Sequence, residues 1–125
     1  MTTEQIKEFM RRFLNASVGQ DANAFMEHMA PDFIAHVGLS PKNRTEFVQH
    51  MSVFNSAFSD MQVTVLDLIT DGEKIAARTT WRGTQTGAFM GLPATGKRIE
   101  IEAYIVERLK DGKSVEHWSL FDQLT

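Results

Sequence analysis

Near the end of the chain, DGKSVEHWSLFDQL brings His117, Trp118 and Asp122 together within one short segment. Histidine has an ordinary pKa of about 6.5 and so suits proton transfer near neutrality. Aspartate, at about 3.9, becomes a useful base when burial among apolar groups such as Trp118 and Phe121 raises it. Proton carriers beside bulky apolar side chains make a pocket for an organic molecule and for acid/base chemistry on it. The reaction that fits is removal of a proton from carbon next to a carbonyl, then delivery of a proton to the oxygen that gains charge. A third candidate, His36, ends the run DFIAHV just before Gly38, where it could polarise a carbonyl or merely anchor a turn.

Trp81, Tyr104, Trp118 and Phe121 offer ring surfaces for a cavity, with core packing as the alternative for each. Glu102 stands close to Tyr104 in the run KRIEIEAYIVERLK. The loop TGAFMGLPATGK carries Phe89 and Met90, apolar residues that need cover, either over a pocket as a lid or over a partner subunit. Its glycines do not make a phosphate cradle, because the GxxxxGK[ST] pattern is missing and the loop leads into a strand. His28 and His50 fall on helices, and the four histidines show no HxH or HExxH spacing, so no metal site is expected.

Strand alternation puts Val115, His117, Ser119 and Phe121 on one face and Glu116, Trp118, Leu120 and Asp122 on the other. His117 and Asp122 can share a pocket only if a β-bulge lies between them. On a regular strand one of them is structural, and Asp122 then has Arg78 or Arg82 as a candidate ion-pair partner.

These residues must be positioned by a chain of 125 residues, long enough for one domain with a core that needs no staples. With no cysteine there is no disulfide, thiolate metal site or cysteine nucleophile, and a net charge of −3 with no basic stripe argues against nucleic acid. The start, MTTEQIKEFMRRF, mixes charges into an apolar helical period, so it reads as neither signal peptide nor membrane span, and cytoplasmic residence is the expectation.

Apolar residues Ile6, Phe9, Met10, Phe13 and Leu14 predict a first helix from Thr3 to near Gly19. A short second helix is capped by Asp21 and ends before Pro31. Asp32 to Val37 reads as a strand, GLSPKN as a polar turn, and Asn43 with Glu46 as a capping box opening a third helix through Phe58. After Asp60 the apolar period becomes two in four consecutive strands, with Asp71-Gly72 and Asp111-Gly112 as hairpin turns. The order ααβαββββ predicts an α+β domain over residues 1–125, with helices on one side of a curved, mainly antiparallel sheet.

Three stretches, AFSDMQVTV (57–65), AARTTWRGTQTGAFMGLPATGKRI (76–99) and DGKSVEHWSLFDQL (111–124), resemble the SnoaL-like polyketide cyclase (ester cyclase) family of the nuclear transport factor 2-like superfamily. The resemblance implies a conical sheet around a deep pocket, a homodimer through the outer sheet face, and catalysis without metal or organic cofactor. It implies an intramolecular aldol ring closure on a hydrophobic carbonyl compound, with Asp122 at the position of the family's acid/base carboxylate. His117 and His36 would help polarise the oxygen. Gln85 stands where relatives commonly have histidine and Ala94 where they have proline, and Glu102, Tyr104 and Arg108 replace a polar pair that includes a histidine. These departures argue against a large anthracycline-type substrate. Isomerisation or epoxide hydrolysis on the same cone, and a non-catalytic small-molecule binding or dimerisation domain, are the competing readings.

Overall fold

The computed structural model describes residues 1–19, 21–89 and 93–122. In chain order it contains α1 (Thr3–Ser17), α2 (Ala22–Met26), β1 (Met29–Val37), β2 (Ser40–Asn43), α3 (Arg44–Ala57), β3 (Gln62–Asp71), β4 (Lys74–Thr84), β5 (Arg98–Lys110) and β6 (Lys113–Phe121).

Helix starts follow from side chains that satisfy otherwise orphaned backbone donors. Thr2 and Gln5 form a capping box on α1, Asn43 and Glu46 form one on α3, and Asp21 caps α2 through the Ala24 N–H. The apolar stripe of α1 buries Ile6, Phe9, Met10, Phe13 and Leu14, each stabilising the fold by roughly 1.5–3 kcal/mol. α1 lies on β3 and β4, while α3 lies on β1 and β2.

The six strands form one sheet in the order β2-β1-β6-β5-β4-β3. β3 to β6 make the expected antiparallel meander, and β1 joins it parallel to β6. Both Asp-Gly pairs close hairpins: Gly72, Asp111 and Gly112 have φ of 60°, 53° and 78°, which only glycine and, less readily, aspartate or asparagine adopt cheaply.

Two expectations are corrected. β1 begins at Met29 rather than Asp32, because its pairing with β6 is irregular between Met29 and Ile34 and so leaves room for Pro31. The stretch read as a polar turn supplies β2, an edge strand paired with β1 from Val37↔Ser40 to Ile34↔Asn43. Pro41 is tolerated there because an edge strand need not donate on its open side.

The loop after β4 starts pinned to α3. The N–H groups of Thr86 and Gly87 donate to the Ala57 carbonyl at 2.9 and 3.2 Å. A Cβ on Gly87 would fall 2.8 Å from the Ser56 carbonyl oxygen and 3.2 Å from Ala57 Cα, both backbone atoms that cannot swing aside. Gly87→Ala is therefore expected to cost about 1–3 kcal/mol, read as a lower urea midpoint.

Candidate functional site

The inner sheet face carries Ile75, Ala77, Thr79 and Trp81 from β4, Ala103, Ile105, Glu107 and Leu109 from β5, and Ser114 and His117 from β6, all buried. Glu107 is 0 % exposed and His117 3 %. They are direct cross-strand partners, and His117 Nδ1 lies 2.5 Å from Glu107 Oε2. Ser114 Oγ donates to Glu107 Oε1 at 3.1 Å.

Ser114 and His117 are three residues apart, so a regular strand would put them on opposite faces. A β-bulge at Val115 brings them to the same side, where the register steps from Arg108↔Glu116 to Leu109↔Ser114. From Glu116 to Phe121 the pairing with β5 is regular. The bulge thus lies before His117, not between His117 and Asp122, and it serves Glu107.

Burial pushes the Glu107 carboxyl above the usual carboxylate range, while His117 and the Ser114 hydroxyl pull against that rise. When ionised, this carboxylate only accepts hydrogen bonds; it then holds the imidazole proton on Nδ1 and leaves the Nε2 lone pair free. Nε2 is buried and has no hydrogen-bond partner among the described residues, and the same is true of Ser119 Oγ. Aromatic rings surround the imidazole: Phe47 at 4.7 Å, Phe13 at 5.9 Å and Phe33 at 6.3 Å between centroids.

His117 and Ser119 face an interior cavity of about 10 Å³, lined otherwise by Ser17 and by apolar side chains from α1, α3, β4, β5 and the end of β6. That is room for about one water molecule, far less than the deep pocket expected from the resemblance. The reason is aromatic packing: Phe13, Phe47, Trp81 and Phe121 all line the space they partly fill.

Among the candidate residues, three come together inside the cone: His117, Trp81 and Phe121. The Trp81 indole donates to Thr79 Oγ1 at 2.9 Å, Thr79 donates to the Ala103 carbonyl at 2.8 Å, and Phe121 meets Trp81 edge-on at 5.2 Å. Phe89 lies one layer out, edge-on to Phe54 and Phe58 at 5.5 Å, and so covers the cavity wall rather than lining it. Met90 lies outside the described residues.

The remaining candidates lie on the outer face. Tyr104 is exposed and donates to Glu102 Oε2 at 3.0 Å. Its phenol pKa is raised, first by that hydrogen bond and the Glu102 charge, with a smaller contribution from the nearby charge of Asp122. Asp122 is exposed, and its backbone N–H donates to the Glu102 carbonyl at 2.9 Å. The dry surroundings that an aspartate base requires are therefore found around His117 and not around Asp122. His36 stacks on Trp118 at 5.3 Å and lies 2.8 Å from Glu116 Oε2, whose other oxygen accepts from Arg108 at 3.2 Å. The His36 hydrogen bond is the main reason the Glu116 carboxyl is held below its ordinary range. His36 is thus engaged on the far side of the sheet from His117.

Glu107 was not among the sequence candidates, although a signal for it was present. In AYIVERL it alternates with Ala103, Ile105 and Leu109, so a carboxylate occupies a core-facing position.

The family model for SnoaL-like polyketide cyclases matches residues 4–125. The chain belongs to this family. AclR of Streptomyces galilaeus, for which a hydroxylase activity is suggested, is 26% identical, covers 98% of this chain and 92% of its own, and superposes with a TM-score of 0.90. IdmH of Streptomyces antibioticus, for which a polyketide cyclase activity is suggested, is 30% identical with coverages of 97% and 94% and a TM-score of 0.86. A SnoaL-like polyketide cyclase of Agrobacterium tumefaciens, 18% identical with coverages of 99% and 94%, shares the fold at a TM-score of 0.81. No curated protein matches this chain. The SnoaL-like chain therefore has the nuclear transport factor 2-like cone expected of it, a mixed α+β domain with a curved six-stranded sheet. Among its described residues no helix is long and apolar enough to cross a membrane, and no group of three His, Asp or Glu side chains could hold a metal ion.

Proposed function

We propose that the protein is a cofactor-independent acid/base enzyme of the SnoaL-like cyclase type, acting on a small hydrophobic carbonyl compound, with His117 as its proton carrier. The observation that carries this reading is the buried Nε2 of His117, without a hydrogen-bond partner among the described residues and facing the apolar cavity while Glu107 pairs with Nδ1. Nε2 removes a proton from carbon next to the substrate carbonyl. The resulting imidazolium is stabilised by Glu107 and returns the proton to carbon or to oxygen. Ring closure by aldol addition and double-bond migration both begin with this step, and the site favours neither.

Substrate must displace side chains to enter. Ser17 and Met51 line both the inner cavity and an outer pocket of about 220 Å³ between α1, α2 and α3. Met51 is the natural gate because an unbranched thioether side chain changes shape cheaply. The outer sheet face, with Ile34, Tyr104 and Leu120 exposed beside the half-buried Trp118, suits pairing with a second copy. Tyr104, Trp118 and His36 then serve that face rather than the substrate.

The test is exchange of the α-hydrogens of 2-tetralone, a hydrophobic bicyclic ketone, for deuterium in heavy water, followed by proton NMR. The protein is expected to accelerate exchange saturably over buffer. A rate equal to that of buffer plus an unrelated protein would remove the enzymatic reading and leave a binding domain.

A further inference from the structure

The mechanism above uses one of two polar atoms that face the cavity. Ser119 Oγ is the other. Ser119 follows His117 by two residues on β6, so the regular pairing from Glu116 to Phe121 points both side chains inward. Its hydroxyl oxygen is buried without a hydrogen-bond partner among the described residues, as is His117 Nε2, and both residues line the same cavity. Among the described residues, every other lining residue except Ser17 is apolar, and the Ser17 hydroxyl is already spent on the Leu14 carbonyl at 2.6 Å. Buried polar groups lacking a partner are uncommon, and two aimed at one apolar space mark where a ligand's polar atom belongs.

Resting on the acid/base reading of His117, we infer that Ser119 is a further catalytic residue, whose hydroxyl donates to the substrate oxygen as that oxygen becomes negative. His117 Nε2 takes the proton from the α-carbon. The C–H electron pair forms the new C=C bond, and the carbonyl π pair moves onto the oxygen held by Ser119. The serine proton stays on Oγ throughout, so no further reactant is needed. A neutral hydroxyl donor gains most as charge develops, and in a dry apolar site that gain is larger than in water. The same two atoms define a ligand class: a flat, otherwise uncharged ring compound with a single enolic or phenolic oxygen. A second charged group on the ligand would find no counterpart in the lining.

The test uses 4-nitrophenol, whose ionised form is yellow, together with the 2-tetralone exchange assay. The wild type is expected to bind 4-nitrophenol saturably and to lower its apparent pKa. Ser119→Ala should weaken nitrophenolate binding about tenfold and lower kcat for exchange by roughly 10- to 100-fold with little change in KM. Ser119→Cys, of similar size with a weaker donor, should fall in between, and circular dichroism checks that both variants fold. If His117→Asn impairs binding and exchange while Ser119→Ala behaves as wild type, the role of Ser119 is overturned and the reading of His117 stands. If neither variant changes either readout, both are overturned. Absence of saturable 4-nitrophenol binding to the wild type overturns the ligand class.

Discussion

His117→Asn is expected to lower the rate of 2-tetralone exchange by about 100- to 10,000-fold, the usual range for loss of a positioned general base. Asparagine is the informative replacement because its amide can still donate to Glu107 while nothing remains where Nε2 stood. The cross-strand pair with Glu107 then survives and the proton carrier does not. Asp122→Asn is the companion experiment, because the family resemblance points to that carboxylate. Asp122 is exposed on the other side of the sheet, so its variant should exchange deuterium at nearly the wild-type rate. A large loss in Asp122→Asn with little in His117→Asn would reverse the assignment.

The second large effect concerns Glu107. Glu107→Ala opens a cavity on the buried sheet face and leaves the His117 Nδ1–H without its acceptor, while Ser114 Oγ keeps the Glu116 carbonyl at 3.3 Å. The expected cost is about 2–5 kcal/mol, or roughly 6–20 °C in Tm for a chain of this size. Glu107→Gln should behave differently. The amide fills the same volume, keeps a polar partner for each neighbour and removes the charge whose burial is unfavourable, so stability should stay near wild type. Its exchange rate should still fall, because an amide can donate as well as accept and no longer fixes the proton on Nδ1.

The pH dependence gives the pair a signature. Burial raises the folded-state pKa of Glu107 above its ordinary 4.5, so between those two values the folded protein holds a proton that the unfolded chain has released. Its contribution to stability is therefore complete below about 4.5 and is lost as pH rises through the raised value. Glu107→Gln should flatten that part of the stability profile, measured by urea unfolding across the carboxylate range.

How much of this was legible in the sequence depends on whether a local signal existed. Asn43 with Glu46, Asp21, and the two Asp-Gly turns announce helix starts and hairpins because each acts through its own backbone neighbours. β2 has no such signal: Ser40–Asn43 contains a proline and no apolar alternation, and it is a strand only because β1 offers an open edge. The start of β1 was hidden behind Pro31 for a similar reason. At the site, alternation along β6 correctly separated His117 from Asp122, which is a consequence of the two-residue period alone. The bulge at Val115 was not legible, since nothing in KSVEHW says that β5 must accommodate one residue fewer. Without it, Ser114 could not join His117 at Glu107. The nearly filled interior was equally out of reach of sequence reasoning, because Phe13, Phe47, Trp81 and Phe121 come from four different elements.

The central claim is that His117 presents an unprotonated Nε2 to the cavity because Glu107 holds the proton on Nδ1. Nitrogen-15 NMR of the imidazole rings near neutral pH, with His117 assigned by the loss of its signals in His117→Asn, measures this directly. The predicted result is a protonated, pyrrole-like Nδ1 and a bare, pyridine-like Nε2 that shifts when 2-tetralone is added. A protonated Nε2 with a bare Nδ1, or a His117 signal untouched by the ketone, would contradict it.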